Sequence, residues 1–159
     1  MAVVFSAREV LEAAVEKEKK RKSFYERVSD QSTHGEMKDL FRFLKNEEEK
    51  HIAAFSAIRD SLPEEKGAAE YDADMDAYMD SVIDDRLYSR MDSEEFVRTA
   101  LKERDVFRLA IGFEKDAILY FREFLPYLSE SDRGIVEGLI EEEKDHIRKL
   151  ADLERRMGT

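Results

Sequence analysis

The chain has 159 residues, and its 38 acidic against 27 Lys and Arg side chains leave a formal charge of -11, so nucleic acid, which calls for a clustered basic surface, is not an expected partner. Cysteine is absent, which excludes disulfides, thiolate metal sites, iron-sulfur clusters and cysteine nucleophiles. Six glycines and two prolines among abundant Glu, Lys, Arg, Leu and Ala favour long helices over a turn-rich sheet, in one domain with a substantial core.

The expected fold class is all-α, with four long amphipathic segments forming two hairpins, about 6-61 and 92-157, in a single domain spanning 1-159. Met1 to Phe5 carries no basic segment ahead of a long apolar run, and no stretch reaches roughly 18 apolar residues, so no membrane association is expected and a cytoplasmic location is the default. The first helix begins at Ser6, where Ser6-x-x-Glu9 reads as a capping box, and runs to about Ser29. Its basic run Lys17 to Lys22 is interrupted by Glu18 and reads as a solvated helix face. The stretch SDQSTHG breaks this helix, and the second runs from about Glu36 to Ser61, ahead of Pro63. His34, in the break, is read as incidental.

The connection from Leu62 to Met91 is too long for a simple loop, which favours a crossover along the bundle that leaves the second and third helices parallel. Within it Tyr71, Met75, Tyr78, Met79, Val82 and Ile83 make a helical stripe, with Asp72, Asp76, Asp80 and Asp84 opposite. Asp72-x-Asp74-x-Asp76 matches the start of a calcium loop, but Ala77 and Ile83 hold the positions that need glycine and glutamate, so an EF-hand is rejected. The third helix is predicted from Asp92 or Ser93, with Asp92-x-x-Glu95 as candidate cap, unbroken to about Leu125. The fourth is predicted from near Ser131 to Met157-Gly158.

Two Glu-x-x-His pairs, Glu48 with His51 and Glu143 with His146, each follow a glutamate about thirty residues upstream, Glu18 and Glu114. The spacing places carboxylate and imidazole on adjacent turns of one helix face. In an antiparallel hairpin, residues equidistant from the turn lie level. The midpoint of Glu18 and Glu48 is Thr33, and that of Glu114 and Glu143 falls between Leu128 and Ser129, both inside predicted loops. Each pair then sits roughly 22 Å from its turn, at about 1.5 Å per residue. The halves also repeat: a shift of 96 lays Ala14, Val15, Glu18, Phe24 and Tyr25 on Ala110, Ile111, Glu114, Tyr120 and Phe121. A shift of 95 lays Leu44, Glu47, Glu48, His51 and Ile52 on Leu139, Glu142, Glu143, His146 and Ile147.

Burial separates these glutamates from surface ones. Glu114 has Phe107, Ala110, Ile111, Ala117, Ile118 and Phe121 on its face, and a carboxylate there is heavily penalised unless protonated, paired or metal-bound. Glu143 and Glu48 lie on nearly as apolar faces, whereas Glu18 has Arg21 and Lys22 on one side. A metal-free core network is the competing reading, and Glu47 and Glu142, four residues ahead of the histidines, offer an alternative register in which Glu142 looks exposed. Tyr25 and Tyr120 are explained equally by packing and by hydrogen bonding near a site. Hard oxygen ligands with one imidazole per ion suit two iron ions, with manganese or zinc as other occupants. The natural arrangement makes Glu48 and Glu143 bridges, with Glu18 and His51 completing one position and Glu114 and His146 the other.

The segments EKEKKRKSFY with FRFLKNEEEKH, and FEKDAILYF with IVEGLIEEEKDH, resemble the rubrerythrin-type branch of the ferritin-like di-iron carboxylate proteins. The resemblance implies a ferritin-like four-helix bundle, a homodimer, and a di-iron oxidoreductase that reacts with hydrogen peroxide or dioxygen. Two departures stand out. Rubrerythrins carry a cysteine-bound iron module, so this chain would need an external electron-transfer protein. They also have a further glutamate where this chain has Ala117, and the six-ligand set is closer to that of bacterioferritin. The alternatives are a ferroxidase or iron-storage protein and a metal-free helical interaction module.

Overall fold

The computed structural model describes residues 7–62 and 90–158. Two long helices come first, α1 (Ala7–Gln31) and α2 (Gly35–Ser61), followed by α3 (Glu94–Glu103), α4 (Val106–Phe124), a 3-10 turn (Leu125–Tyr127) and α5 (Glu130–Met157). Among the described residues there is no strand. The first two helices, α3 with α4, and α5 make the four columns of the expected all-α bundle.

Serine side chains open two of these helices. Ser93 accepts from the Phe96 N–H at 3.1 Å and opens α3, and Ser129 accepts from Asp132 at 3.2 Å and opens α5. Asp92, the other candidate cap, is paired instead with Lys20 at 3.3 Å. His34 is not incidental: its Nδ1 accepts from the Met37 N–H at 3.4 Å and caps α2. Gly158, at φ 72, closes α5 in the left-handed conformation that costs glycine little. Ser6 lies outside the described residues, as do the apolar stripe and acidic face of the long connection.

The predicted unbroken third helix is corrected by a break at Arg104, which sits at φ 62 and ends α3. The reason is phase. Val97 and Ala100 face the core, but Val106, six residues beyond Ala100, would point away from that stripe in a straight helix. The break turns Val106 inward beside Phe107, which a straight helix would already keep on the Ala100 stripe, and leaves Lys102, Glu103 and Arg104 in solvent.

Cross-helix contacts set the directions. Lys22 pairs with Glu49 and Lys45 with Glu26, so α1 and α2 are antiparallel. Phe24 meets Phe113, and Tyr120 donates to the Val10 carbonyl, so α1 and α4 are antiparallel too. It follows that α2 and α4 run parallel. The chain leaves at Leu62, whose carbonyl accepts from Arg8, and returns at Glu94, whose carbonyl accepts from Gln31. Arg8 and Gln31 lie at opposite ends of α1, so the two described ends of the connection stand at opposite ends of the bundle. Phe24, Tyr25, Phe41, Phe55, Phe113 and Phe121 are fully buried between the columns, with Phe55 and Phe121 only 4.7 Å apart between ring centroids.

Candidate metal centre

Midway along the columns the apolar filling gives way to Glu18, Glu48, His51, Glu114, Glu143 and His146, none more than 2% exposed. All four long columns contribute: α1 supplies Glu18, α2 Glu48 and His51, α4 Glu114, and α5 Glu143 and His146. Helical periodicity carries each onto the inward stripe, and the hairpin turns bring them level. They form two four-residue groups, Glu18, Glu48, His51 and Glu143, and Glu48, Glu114, Glu143 and His146, each with one ligand atom per residue within 4.8 Å of the others.

The shared members are Glu48 and Glu143. His51 Nδ1 lies 2.6 Å from Glu143 Oε1 and 3.5 Å from Glu48 Oε2. His146 Nδ1 lies 3.5 Å from Glu143 Oε2 and 3.9 Å from Glu48 Oε1. Each shared carboxylate thus turns one oxygen toward each histidine, the disposition of a bridge between two positions. The imidazoles themselves stack with centroids 5.7 Å apart and planes 13° from parallel.

Both oxygens of Glu48 and Glu143, Oε2 of Glu18 and of Glu114, and both Nδ1 atoms are buried without a hydrogen-bond partner among the described residues. Even the 2.6 Å approach of His51 to Glu143 lacks hydrogen-bond alignment. Burying so many unsatisfied polar atoms costs heavily unless a cation satisfies them. The donor set therefore fits a binuclear metal site of hard oxygen ligands with one imidazole per ion.

Other side chains hold the ligands from behind. Tyr25 donates to Glu114 Oε1 at 2.5 Å, whereas Tyr120, its counterpart in the hydrogen-bonding reading, binds the Val10 carbonyl instead. Glu142, on the surface of α5, meets His51 Nε2 at 2.7 Å, which leaves Nδ1 for the centre. A carboxylate behind a ligating imidazole sets its orientation and raises its basicity. Arg21, 1% exposed, donates to Glu18 Oε1, lies 3.8 Å from Glu48 Oε2 and stacks over Phe121. An open surface pocket of about 310 Å³, lined by Phe43, Glu47, Glu141, Glu142, Asp145 and His146, lies beside the centre.

The charges interlock. Burial pushes the Glu18 carboxyl up to about 7, against the pull of Arg21. Burial alone would depress His51, but the carboxylates of Glu143, Glu18 and Glu142 overcome it and hold the imidazole at about 9. Glu143 resists its own burial through His146, His51 and Arg21 and is drawn down to about 2. Asp116, half-buried beside this group, is raised by burial to about 6 although Arg21 and Lys17 oppose the shift.

No family model and no curated protein matches the chain. One solved structure does, a protein from Thermotoga maritima provisionally described as a ferritin-like diiron-carboxylate protein, with 28% identity, 96% coverage of both chains and a TM-score of 0.66. The fold is ferritin-like. Together with the buried cluster, this similarity suits a diiron protein. Among the described residues no helix is long and apolar enough to cross a membrane.

The six residues singled out by spacing are thus brought together, and the alternative register is not the buried one: Glu142 is exposed and Glu47 pairs with Lys50. Two contributors were missed. Glu142 was set aside because its own face is polar, and its partner lies on another helix. Arg21 was counted against Glu18, although its place on the ligand stripe, where the repeat has Ala117, was a signal that it is buried.

Proposed function

We propose that this chain is a di-iron oxidoreductase of rubrerythrin type, reacting with hydrogen peroxide or dioxygen and re-reduced by a separate electron-transfer protein. The carrying observation is the pair of buried carboxylates, Glu48 and Glu143, each offering one oxygen toward each histidine, with no hydrogen-bond partner among the described residues. When bound, two ferrous ions supply two electrons together, and these with two protons convert one peroxide into two waters. In this reading Glu18 and His51 would hold one ion, Glu114 and His146 the other, and Glu48 and Glu143 would serve both. Glu142 keeps His51 Nδ1 facing inward, Tyr25 keeps Glu114 from rotating, and the phenylalanine layers exclude bulk water. The pocket beside His146 admits a molecule the size of peroxide. A cytoplasmic homodimer is the form expected for such an enzyme.

The test is anaerobic iron reconstitution followed by stopped-flow mixing with peroxide and with dioxygen. Oxidation of two irons per chain, faster with one oxidant, is the expected result; a slow reaction with both would overturn the oxidoreductase reading. Glu143→Ala removes an atom from both positions and should abolish binding of the second metal equivalent, and full occupancy in that variant would overturn the ligand assignment.

A second reading, ferroxidase or iron handling, is favoured by the acidic lining of the pocket, where Glu47, Glu141, Glu142 and Asp145 would attract cations. Iron titration with size measurement separates the two, because uptake far beyond two irons per chain belongs to storage.

A further inference from the structure

The two halves of the centre repeat each other in their ligands but not in what stands behind them. Glu18 and Glu114 occupy matching positions, and each has Oε1 held and Oε2 without a hydrogen-bond partner among the described residues. The holding group differs. Glu114 is held by the neutral phenol of Tyr25. Glu18 is held by the guanidinium of Arg21, which also lies 3.8 Å from Glu48 Oε2. The position matching Arg21 in the second half is Ala117, fully apolar and 2% exposed. Arg21 is itself 1% exposed and rests over the Phe121 ring at 5.9 Å, so its charge is fixed beside one half of the centre and shielded from water.

We propose that Arg21 is a resident counter-cation that makes the two metal positions inequivalent, so that the position of Glu114 and His146 fills first and that of Glu18 and His51 second. The inference rests on the binuclear reading above. A guanidinium is charged at any working pH, so the asymmetry is permanent. It acts in two ways. The hydrogen bond to Oε1 withdraws charge from Glu18 and makes Oε2 a weaker donor, and the unit charge repels a divalent cation arriving beside it. At separations of a few ångströms in a water-poor interior, such repulsion shifts a binding equilibrium by at least about tenfold. Tyr25 donates to the Glu114 oxygen that lies 3.6 Å from His146 Nδ1, but as a neutral group it brings no repelling charge to the opposite position. Arg21 is therefore a positioning residue: it sets the order of loading through Glu18 and Glu48 without entering either coordination shell.

The experiment is titration of the full metal-free chain with Mn(II), followed by calorimetry, with anomalous diffraction from crystals carrying one equivalent. Two binding steps separated by at least about tenfold are expected, with the first ion beside Glu114 and His146. Arg21→Gln should bring the two affinities together and spread the first equivalent over both positions, while Arg21→Lys, which keeps the charge, should retain the order. A first ion found beside Glu18 and His51 in the unaltered chain overturns the proposal. So does an Arg21→Gln variant that keeps the order and separation of the unaltered chain. If the variant fails to fold by circular dichroism, the one-equivalent map of the unaltered chain decides alone. Failure of the unaltered chain to bind two equivalents would instead overturn the binuclear reading itself, an outcome distinct from two equal sites.

Discussion

Glu142 shows how a surface side chain can govern a buried one. Its carboxylate is half exposed, yet at 2.7 Å from His51 Nε2 it sets which imidazole nitrogen faces the centre. Removing such a supporting carboxylate costs about 10–100-fold in metal affinity. Glu142→Ala should show that loss in competition with a chelator while the fold stays intact; unchanged affinity would contradict the role. The titrations of the metal-free cluster also have a sign. Glu18 ionises near 7 rather than 4.5, so its charging weakens the fold as pH rises from 4.5 through 7. Protonated His51 contributes stability that is complete below 6.5 and lost as pH rises through 9. Glu143, drawn down to about 2, contributes stability present above 4.5 and lost only as pH falls toward 2. From 4.5 to 9 the first two act in succession and in the same direction. Chelator-treated protein should therefore show a falling urea midpoint across about pH 5, 7 and 9, and a rising one would refute the assignment.

At the scale of the element, four helical columns follow from apolar periodicity and from Ser and Gly at the ends, and these were legible. The break within the third column was not. The apolar pattern continues past Arg104 with neither Gly nor Pro to mark a stop, and only the need to bring Val106 onto the core beside Phe107 requires it. Arg104 adopts φ 62, a conformation that costs a side-chain-bearing residue roughly 1–2 kcal/mol and glycine little. Its side chain is exposed to solvent. Arg104→Gly should raise stability by up to about 1 kcal/mol in chemical denaturation, after the extra chain entropy of glycine is allowed for. His34 was misjudged for a related reason. Its ring caps α2 only because the three-residue turn holds its backbone extended, at φ -91 and ψ 123.

Over the whole molecule the columns are tied by aromatic packing above and below the centre. Phe55 on α2 and Phe121 on α4 join the two hairpins at 4.7 Å, and Phe55 lies one turn beyond His51. Phe55→Ala should cost about 3–5 kcal/mol of unfolding free energy, with metal occupancy lost only as the fold is lost. Each group of four takes residues from both hairpins, because Glu143 joins Glu18, Glu48 and His51, and Glu48 joins Glu114, Glu143 and His146. By itself the sequence determined the four columns, the level of the glutamates and the six residues that meet, because helical period and distance from a turn are local quantities. Only the tertiary structure decided that Arg21 is buried beside one position, that Glu142 reaches across to His51, and that Tyr25 rather than Tyr120 holds a ligand. Those depend on which surface of another helix covers each side chain, and no spacing within a single helix records that.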